Sequence, residues 1–310
     1  MALLSRKRTI LVKTEVTYGT DPTPTGAANA ILVKNLNVTP LDAENVSRDL
    51  VRPYLGASEQ LIASKHVACD FEIEMAGSGA AGTAPAYAPL LLACGMSETV
   101  VATTSVTYAP VSTNFKSVTI YYNVDGVLHK ITGARGSVEM TIEAGQIPVF
   151  KFTFTGIYNA PSDVAAPSPT YTAFQTPLTA NSDNTTGFSL FSYSAVLQSL
   201  SLGFNNSVLY RSLIGAESVL ITDRQVKGQV MFEAPTITAK DFFSLALGTS
   251  LGSLDITHGT SAGNKVQITS SRVDVTNPSY QDQNGIQMLN VPVILVPSTS
   301  GNDEISIVVK

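Results

Sequence analysis

One glycine-rich stretch has the spacing of a nucleotide-binding loop. Residues 77–82 read Gly-Ser-Gly-Ala-Ala-Gly, the pattern whose glycines let a pyrophosphate approach the N-terminus of a helix. The strand predicted before this stretch carries three carboxylates on one face, whereas the strand before a dinucleotide loop is buried on both faces. Those carboxylates would also repel a phosphate. The sequence therefore predicts a flexible surface loop there and no bound cofactor.

Two serines and three histidines are the other candidates for chemistry. Residues 248–252 and 259–263 both match G-x-S-x-G, but a nucleophile elbow needs a strand before the serine and a helix after it. The first match follows a predicted helix, and the second lies in a predicted hairpin loop. His66, His129 and His258 have no metal-ligand spacing with each other or with a cysteine. We predict no catalytic residue and no metal, so the chain is not expected to be an enzyme.

The composition limits the classes of partner. Charged residues make up 14% of the chain, against about 25% in typical globular domains, which predicts that much of the surface is covered by a partner or by other copies. The net charge of −5 argues against a protein that reads nucleic acid. Cys69 and Cys94 are predicted to be buried thiols. No signal peptide is expected, because the N-terminal residues have too short an apolar run and no small-residue cleavage site. No membrane span is expected, because the uncharged residues 76–97 are interrupted by glycine and proline.

An internal repeat sets the organisation of the chain. Residues 52–76 and 211–235 align without a gap at an offset of 159, with seven identical and four conservative positions. Such self-similarity indicates two copies of one folding unit. We predict an N-terminal arm at 1–30, a first unit at 31–158, a proline-rich linker at 159–186 and a second unit at 187–310.

Within each unit the pattern is that of antiparallel strands. Residues 69–75, 137–143 and 150–154 alternate apolar and polar side chains, as half-buried strands do, and Asp125-Gly126 predicts a hairpin turn. One short helix is expected in each unit, at residues 86–94 and from a capping box at 238–241 up to Gly248. The predicted fold is mainly β: two tandem β-sandwich or barrel units, each with one packed helix.

The alternation also places carboxylates on one side of the strands. They are Asp70, Glu72, Glu74, Glu139 and Glu143, with Glu233 equivalent to Glu74 in the repeat. One interpretation is an ordinary solvated strand face. The other is a surface that must not bind a polyanion moving over it, because duplex DNA carries about one charge per 1.7 Å and is repelled by carboxylates.

The sequence resembles the major tail tube proteins of long, non-contractile-tailed bacteriophages. The segments that carry the resemblance are residues 15–26, 48–56, 76–87, 133–136, 142–148 and 152–158, in that order and spacing. It implies a β-sandwich with a flanking helix, whose inner sheets join around a lumen in stacked rings. It implies no catalytic residue.

Assembly follows from the resemblance combined with the repeat. Tubes of this family have six tube folds in a ring, so a chain with two would form rings of three chains with pseudo-sixfold symmetry. The six carboxylates would face the lumen, and Gly77, Ser78, Gly79 and Gly82 would contribute to ring stacking. The expected partners are other copies of the chain and the tape-measure, terminator and baseplate proteins, with double-stranded DNA passing through unbound. The protein would lie in the virion tail after assembly in the host cytoplasm, without a membrane.

Two other structural classes share these features. A β-sandwich adhesin or receptor-binding protein would also be strand-rich and oligomeric, although the chain has no Trp and only 7% aromatic residues, where binding surfaces favour Trp and Tyr. A tail-terminator protein would reuse the same fold, and the repeat does not separate it from the main tube.

Overall fold

A computed structural model describes residues 2–310. The chain is mainly β, as predicted, with one 18-stranded sheet, one two-stranded sheet and three short helices in the described residues. We call the part from β1 to β10 the first half and the part from β11 to β20 the second half. The first half contains β1 (Arg8–Thr14), α1 (Gly26–Asn29), β2 (Ala30–Ile31), β3 (Lys34–Ser47), β4 (Gln60–Glu74), α2 (Ala88–Ala93), β5 (Met96–Val101), β6 (Ser105–Pro110), β7 (Val118–Val124), β8 (Val127–Glu143), β9 (Val149–Tyr158) and β10 (Ser162–Asp163).

The second half has a similar order of elements, but it lacks one of the hairpins of the first half. It contains β11 (Thr185–Leu190), β12 (Leu197–Gly203), β13 (Ser207–Leu213), β14 (Ala216–Asp223), β15 (Lys227–Glu233), α3 (Phe242–Leu247), β16 (Gly252–His258), β17 (Val266–Val275), β18 (Ser279–Gln283), β19 (Ile286–Leu295) and β20 (Ser306–Val309). The small sheet is the β13–β14 hairpin. The β5–β6 hairpin has no counterpart between α3 and β16.

Strand pairing is repeated between the halves in the same register. Residues 68–74 of β4 pair with residues 149–155 of β9, and residues 227–233 of β15 pair with residues 288–294 of β19. The offset is 159 from each residue of β4 to its equivalent in β15, and 139 from each residue of β9 to its equivalent in β19. The likeness therefore includes β9 and β19, where the two sequences no longer agree visibly.

The same irregularity also occurs at equivalent places in both halves. The β7–β8 ladder shifts register between Val118 and Ile120, and the β16–β17 ladder shifts between Gly252 and Leu254. β-Bulges add twist and are specific features of a strand pair rather than accidents. A shared bulge supports a common origin of the halves, while the exact division of the chain into two units stays a prediction.

Local predictions from turn and helix residues are mostly confirmed. Asp125 and Gly126 have positive φ and connect β7 to β8 by a two-residue loop. Helix α2 lies within the predicted residues 86–94, and Gly95 follows with φ +82°. The predicted start of α3 at Thr238 is wrong by one turn. Asp241 is the cap instead, because its carboxylate accepts from Ser244 N at 2.9 Å.

The predicted N-terminal arm needs one correction. Residues 8–14 form β1, which pairs with β7 over its whole length, and Ile10 and Val12 are buried in the core. The strand is marked only by three consecutive apolar residues, Ile10, Leu11 and Val12, all of them buried, and so short a run without alternation does not identify a strand. The segment 164–184 runs against the first half, where Ala180 N donates to Gln146 O at 2.8 Å.

Aromatic residues of alternating strands build the core. Phe71, Phe152 and Phe154 are at most 1% exposed, and their rings lie 5.9–6.0 Å apart. The same cluster continues into the second half through Val230 and Phe232. The core therefore lies on one side of β4, β8 and β9 and leaves the other side of these strands outside it.

Candidate assembly surfaces

Eight strands form a continuous layer that crosses from one half to the other. Their order is β3, β4, β9, β8, β12, β15, β19 and β18. The crossing is the pairing of β8 with β12, in which residues 139–143 lie opposite residues 199–203. We call this pairing the internal junction.

The layer ends in two strands that are paired on one side only. Within residues 2–310, β3 pairs with β4 alone, and β18 pairs with β19 alone. Unpaired strand edges invite pairing with another chain. These two edges are therefore the places where the sheet can be extended.

Each edge strand is equivalent to one strand of the internal junction. Asn37 pairs with Asp70 as Ser201 pairs with Gln229, and Asp70 and Gln229 are related by the offset of 159. β3 is thus the counterpart of β12.

The same comparison applies at the other edge. Gln281 pairs with Met288 as Thr141 pairs with Val149, and Val149 and Met288 are related by the offset of 139. β18 is thus the counterpart of residues 139–143 of β8. The chain joins one such pair of strands internally and leaves the second pair apart.

Backbone hydrogen bonds show which groups point towards the edge. Phe204 N donates to Val138 O at 2.9 Å across the internal junction, and alternation in an antiparallel pair then directs the N–H and C=O of Met140 to β12. By the same alternation the N–H of Tyr280, the counterpart of Met140, points away from β19. Ala234 N donates to Gln287 O at 3.0 Å, so Gln287 directs its backbone groups to β15. The next residue, Met288, then directs its backbone groups to Gln281 of β18, which leaves the N–H of Tyr280 pointing away from β19.

The six predicted carboxylates all lie on the face of this layer opposite the core. They are Asp70, Glu72 and Glu74 on β4, Glu139 and Glu143 on β8, and Glu233 on β15. Each one alternates with buried apolar residues of its strand. The structure thus brings together side chains that are up to 163 residues apart in the sequence.

Basic residues moderate the charge of this face. Lys151 pairs with both Glu72 and Glu139, so the three side chains lie in one row across β4, β9 and β8. Lys34 Nζ lies 3.9 Å from Glu72 Oε2, and Lys227 lies on the same face of β15. Six carboxylates against these three lysines leave the face negative, but less so than the sequence pattern alone indicates.

The glycine-rich residues 77–82 contact the second half of the same chain. Gly77 N donates to Asn264 Oδ1 at 2.7 Å, and Gly79 N donates to Gly263 O at 2.9 Å. A Cβ on Gly77 would lie 2.1 Å from Gly263 O, so the close approach requires glycine. Ser78 is half-buried, and its hydroxyl donates to Ala80 O. This contact explains Gly77 within one chain, and a role of the loop in ring stacking stays a prediction.

Sequence reasoning missed a buried carboxylate in the first half. Glu15 is 5% exposed and accepts hydrogen bonds from Ser117 Oγ at 2.6 Å and Thr119 Oγ1 at 2.7 Å. It also accepts from the backbone N–H groups of Gly19 and Gly133 at 2.8 and 2.7 Å. Glu15 thus fixes the turn after β1 against β7 and β8.

That turn places a tyrosine beneath the β13–β14 hairpin. Tyr18 Oη accepts from Val219 N at 2.6 Å, and Arg135 Nη1 donates to Val219 O at 2.8 Å. The Arg135 guanidinium lies 4.8 Å from the centre of the Tyr18 ring, and burial raises the pKa of Tyr18. Tyr18 and Arg135, from two distant segments, therefore form one seat for the hairpin, and no local pattern in the sequence indicates it.

The cysteines and histidines are placed as structural residues. Cys69 and Cys94 are buried and not bonded to each other, and burial raises the pKa of Cys69 to about 12. His258 Nδ1 lies 2.9 Å from Thr185 Oγ1, and burial lowers the pKa values of His129 and His258. Residues 2–310 contain no cluster of three or more His, Cys, Asp or Glu suited to a metal. Within that range no helix is long and apolar enough to cross a membrane.

Comparison with known proteins agrees with this arrangement. The family model described as phage tail tube protein matches residues 5–295, nearly the whole chain. No curated protein matches the chain. The family is one of structural proteins and places the molecule in the virion tail. On the extent of this match, the chain belongs to the phage tail tube protein family.

Proposed function

We propose that each half of the chain is one tube unit and that three chains close into a ring with pseudo-sixfold symmetry. Such rings stack into the hollow tail tube through which DNA leaves the virion. The observation that supports this proposal is the internal junction, which joins the two halves of the chain edge to edge in one layer.

Ring closure repeats the internal junction between chains. β18 of one chain pairs with β3 of the next in the way that β8 pairs with β12. Every junction around the ring is then alike, and no edge of the layer stays open. A head-to-tail contact of this kind closes when the rotation per unit divides a full turn. With two units in each chain, six units require three chains.

The equivalences fix the register of the contact between chains. Asn37 lies opposite Gln281 in the next chain, as Ser201 lies opposite Thr141 within the chain. On the core side, Val38 then meets Tyr280, which is 51% exposed in the single chain. This pairing covers apolar surface that would otherwise face water.

A double cysteine variant tests this register. Thr141 and Ser201 form a non-hydrogen-bonded pair, whose Cα atoms lie about 4.5 Å apart, within the range for a disulfide. Oxidised tubes of Asn37→Cys with Gln281→Cys should therefore give covalent trimers on denaturing gels. Thr141→Cys with Ser201→Cys is the matched control and should close within each chain. The proposal would be contradicted if the control disulfide forms but the Asn37→Cys/Gln281→Cys tubes stay unlinked. Covalent products larger than three chains would also contradict it.

The carboxylate face then lines the lumen. Its net negative charge repels duplex DNA, so the DNA slides without binding. The neighbouring lysines keep the repulsion weak enough for DNA to fill the tube.

Reversing charge on this face should slow DNA release. Particles with Glu72→Lys and Glu74→Lys should assemble normally but eject DNA more slowly, because cations now meet the phosphates, and the delay should shrink at high salt. The rate of DNA release from purified particles can be measured with a fluorescent dye that binds the ejected DNA. Asp163→Lys with Asp183→Lys makes the same charge change outside this face and should leave ejection unchanged. Failed assembly of the first variant would mean that these carboxylates form an interface instead.

A further inference from the structure

We propose that the β3–β4 hairpin of the first half docks on the second half of the neighbouring chain and covers the end of α3. We call residues 40–62, the distal part of this hairpin, the first arm. The β13–β14 hairpin is its counterpart and is called the second arm. The inference rests on the proposed ring, and it adds a contact that edge pairing alone does not require.

The second arm shows how such an arm is seated. It is separated from the large sheet and packs on the first half, where Val219 and Ile221 are 0% and 8% exposed. Ile221 Cδ1 lies beside Gly95 at the end of α2, 3.5 Å from the position of a Cβ on that glycine. Asn206 Nδ2 donates to Cys94 O at 2.7 Å. The second arm therefore closes over the C-terminal end of α2.

The first arm has the same apolar residue without a cover. Ile62 is the counterpart of Ile221 at the offset of 159, yet it is 56% exposed. Leu61 is 55% exposed and Val46, its partner across the hairpin, is 56% exposed. Ile62 and the Leu61–Val46 pair lie on opposite faces of the hairpin, so Ile62 is the apolar side chain on the face that corresponds to the seated face of the second arm, and it has no cover within the chain.

The matching seat in the second half is also uncovered. Leu92, Ala93 and Gly95 match Leu245, Ala246 and Gly248 at an offset of 153, which makes Leu247 the counterpart of Cys94. The two residues are 91% and 0% exposed. Gly248 correspondingly stands for Gly95. Ile221 and Gly95, which meet inside the chain, thus have exposed counterparts in Ile62 and Gly248, which identifies the occupant as another copy of this chain.

The direction of the first arm agrees with the edge contact. The second arm continues from β12 and β15 and lies over the unit whose β8 pairs with β12. The first arm continues from β3 and β4, so pairing of β3 with a neighbour's β18 brings it over that neighbour's second half. The register of β3 with β4 shifts between Thr39 and Asp42. The equivalent position in the second half is Gly203, the last residue of β12, after which the chain enters the second arm.

The seat on the second half lacks the cation that holds the second arm. Arg135 pairs with Thr155 and Asp274 pairs with Ile294, so Asp274 stands where Arg135 holds the second arm. The bond from Arg135 to the arm carbonyl cannot be repeated there. The contact that remains is apolar, between Ile62 and the end of α3 at Leu247 and Gly248.

Two matched substitutions distinguish the arms. Ile62→Asp should leave the melting temperature of the single chain unchanged and raise the concentration needed for assembly by about tenfold or more. Ile221→Asp should lower that melting temperature, because its side chain is buried within the chain. Leu247→Asp should reproduce the assembly defect of Ile62→Asp, and Ile62→Lys combined with Leu247→Asp should restore assembly through an ion pair between chains.

Light scattering and electron microscopy of the purified full-length chain give the readout. If the wild-type chain assembles and Ile62→Asp assembles at the same concentration, the arm contact is wrong and the proposed ring still stands. Rings of Ile62→Asp that form at the wild-type concentration but do not stack would assign the arm to a copy in the next ring and so overturn the lateral seat. A wild-type chain that forms neither rings nor tubes would overturn the ring itself.

Discussion

Tyr280→Pro is expected to abolish ring formation while the chain stays folded. The N–H of Tyr280 points away from β19, towards the position proposed for β3 of the next chain. Proline has no N–H and is tolerated in an edge strand only where that group faces outward. The substitution therefore spares the β18–β19 ladder and removes a hydrogen bond at the centre of the contact between chains.

Two controls separate this effect from loss of the tyrosine side chain and from misfolding. Tyr280→Ala removes the ring, whose centre lies 5.3 Å from that of Phe243, but keeps the N–H, so it should weaken assembly less than proline does. Gln281→Pro removes an N–H that faces β19 and should destabilise the single chain. Size-exclusion chromatography with light scattering measures assembly, and circular dichroism measures folding. Ring formation by Tyr280→Pro at the wild-type concentration would contradict the edge contact.

Glu15→Ala is expected to lower the free energy of unfolding of the single chain by about 4 kcal/mol. The buried carboxylate of Glu15 accepts four hydrogen bonds beneath the turn after β1. The hydroxyls of Ser117 and Thr119 can rotate to other acceptors, but the N–H groups of Gly19 and Gly133 would be left without one. Each unsatisfied buried donor costs about 1–3 kcal/mol.

Denaturant unfolding followed by fluorescence or circular dichroism measures this loss. Glu44→Ala is the control, because Glu44 also accepts a hydrogen bond, from Ser64 Oγ at 3.0 Å, but is exposed, so that water can replace the carboxylate, and its loss should cost about 1 kcal/mol or less. Hydrogen exchange should also show weaker protection at Val219 in Glu15→Ala, since Tyr18 no longer has a fixed turn. Equal stability of the two variants would mean that the turn is not held by Glu15.

Features encoded at short range could be predicted from the sequence. The period of two in residues 69–75 and 137–143 places carboxylates and core residues on opposite faces wherever the strand lies in the sheet. The Asp125-Gly126 turn and helix α2 likewise depend on neighbouring residues. The repeat of residues 52–76 at 211–235 indicated that contacts in one half have counterparts in the other.

Features that depend on distant segments could not be predicted. Tyr18 and Val219 are 201 residues apart, and Gly77 meets Asn264 across 187 residues. Nothing local in Tyr18 or Gly77 identifies these partners. The alignment of Ile62 with Ile221 was visible, but their opposite burial depends on which hairpin finds a unit of its own chain to pack on.

The most direct test of the account is the symmetry and mass of one ring. Cryo-electron microscopy of assembled protein, viewed along the tube axis, should show six similar lobes with true threefold symmetry. Mass per ring, from scanning transmission microscopy or native mass spectrometry, should be three times the 32.7 kDa chain. Rings of six chains, or a layer in which β18 does not meet β3, would contradict the account.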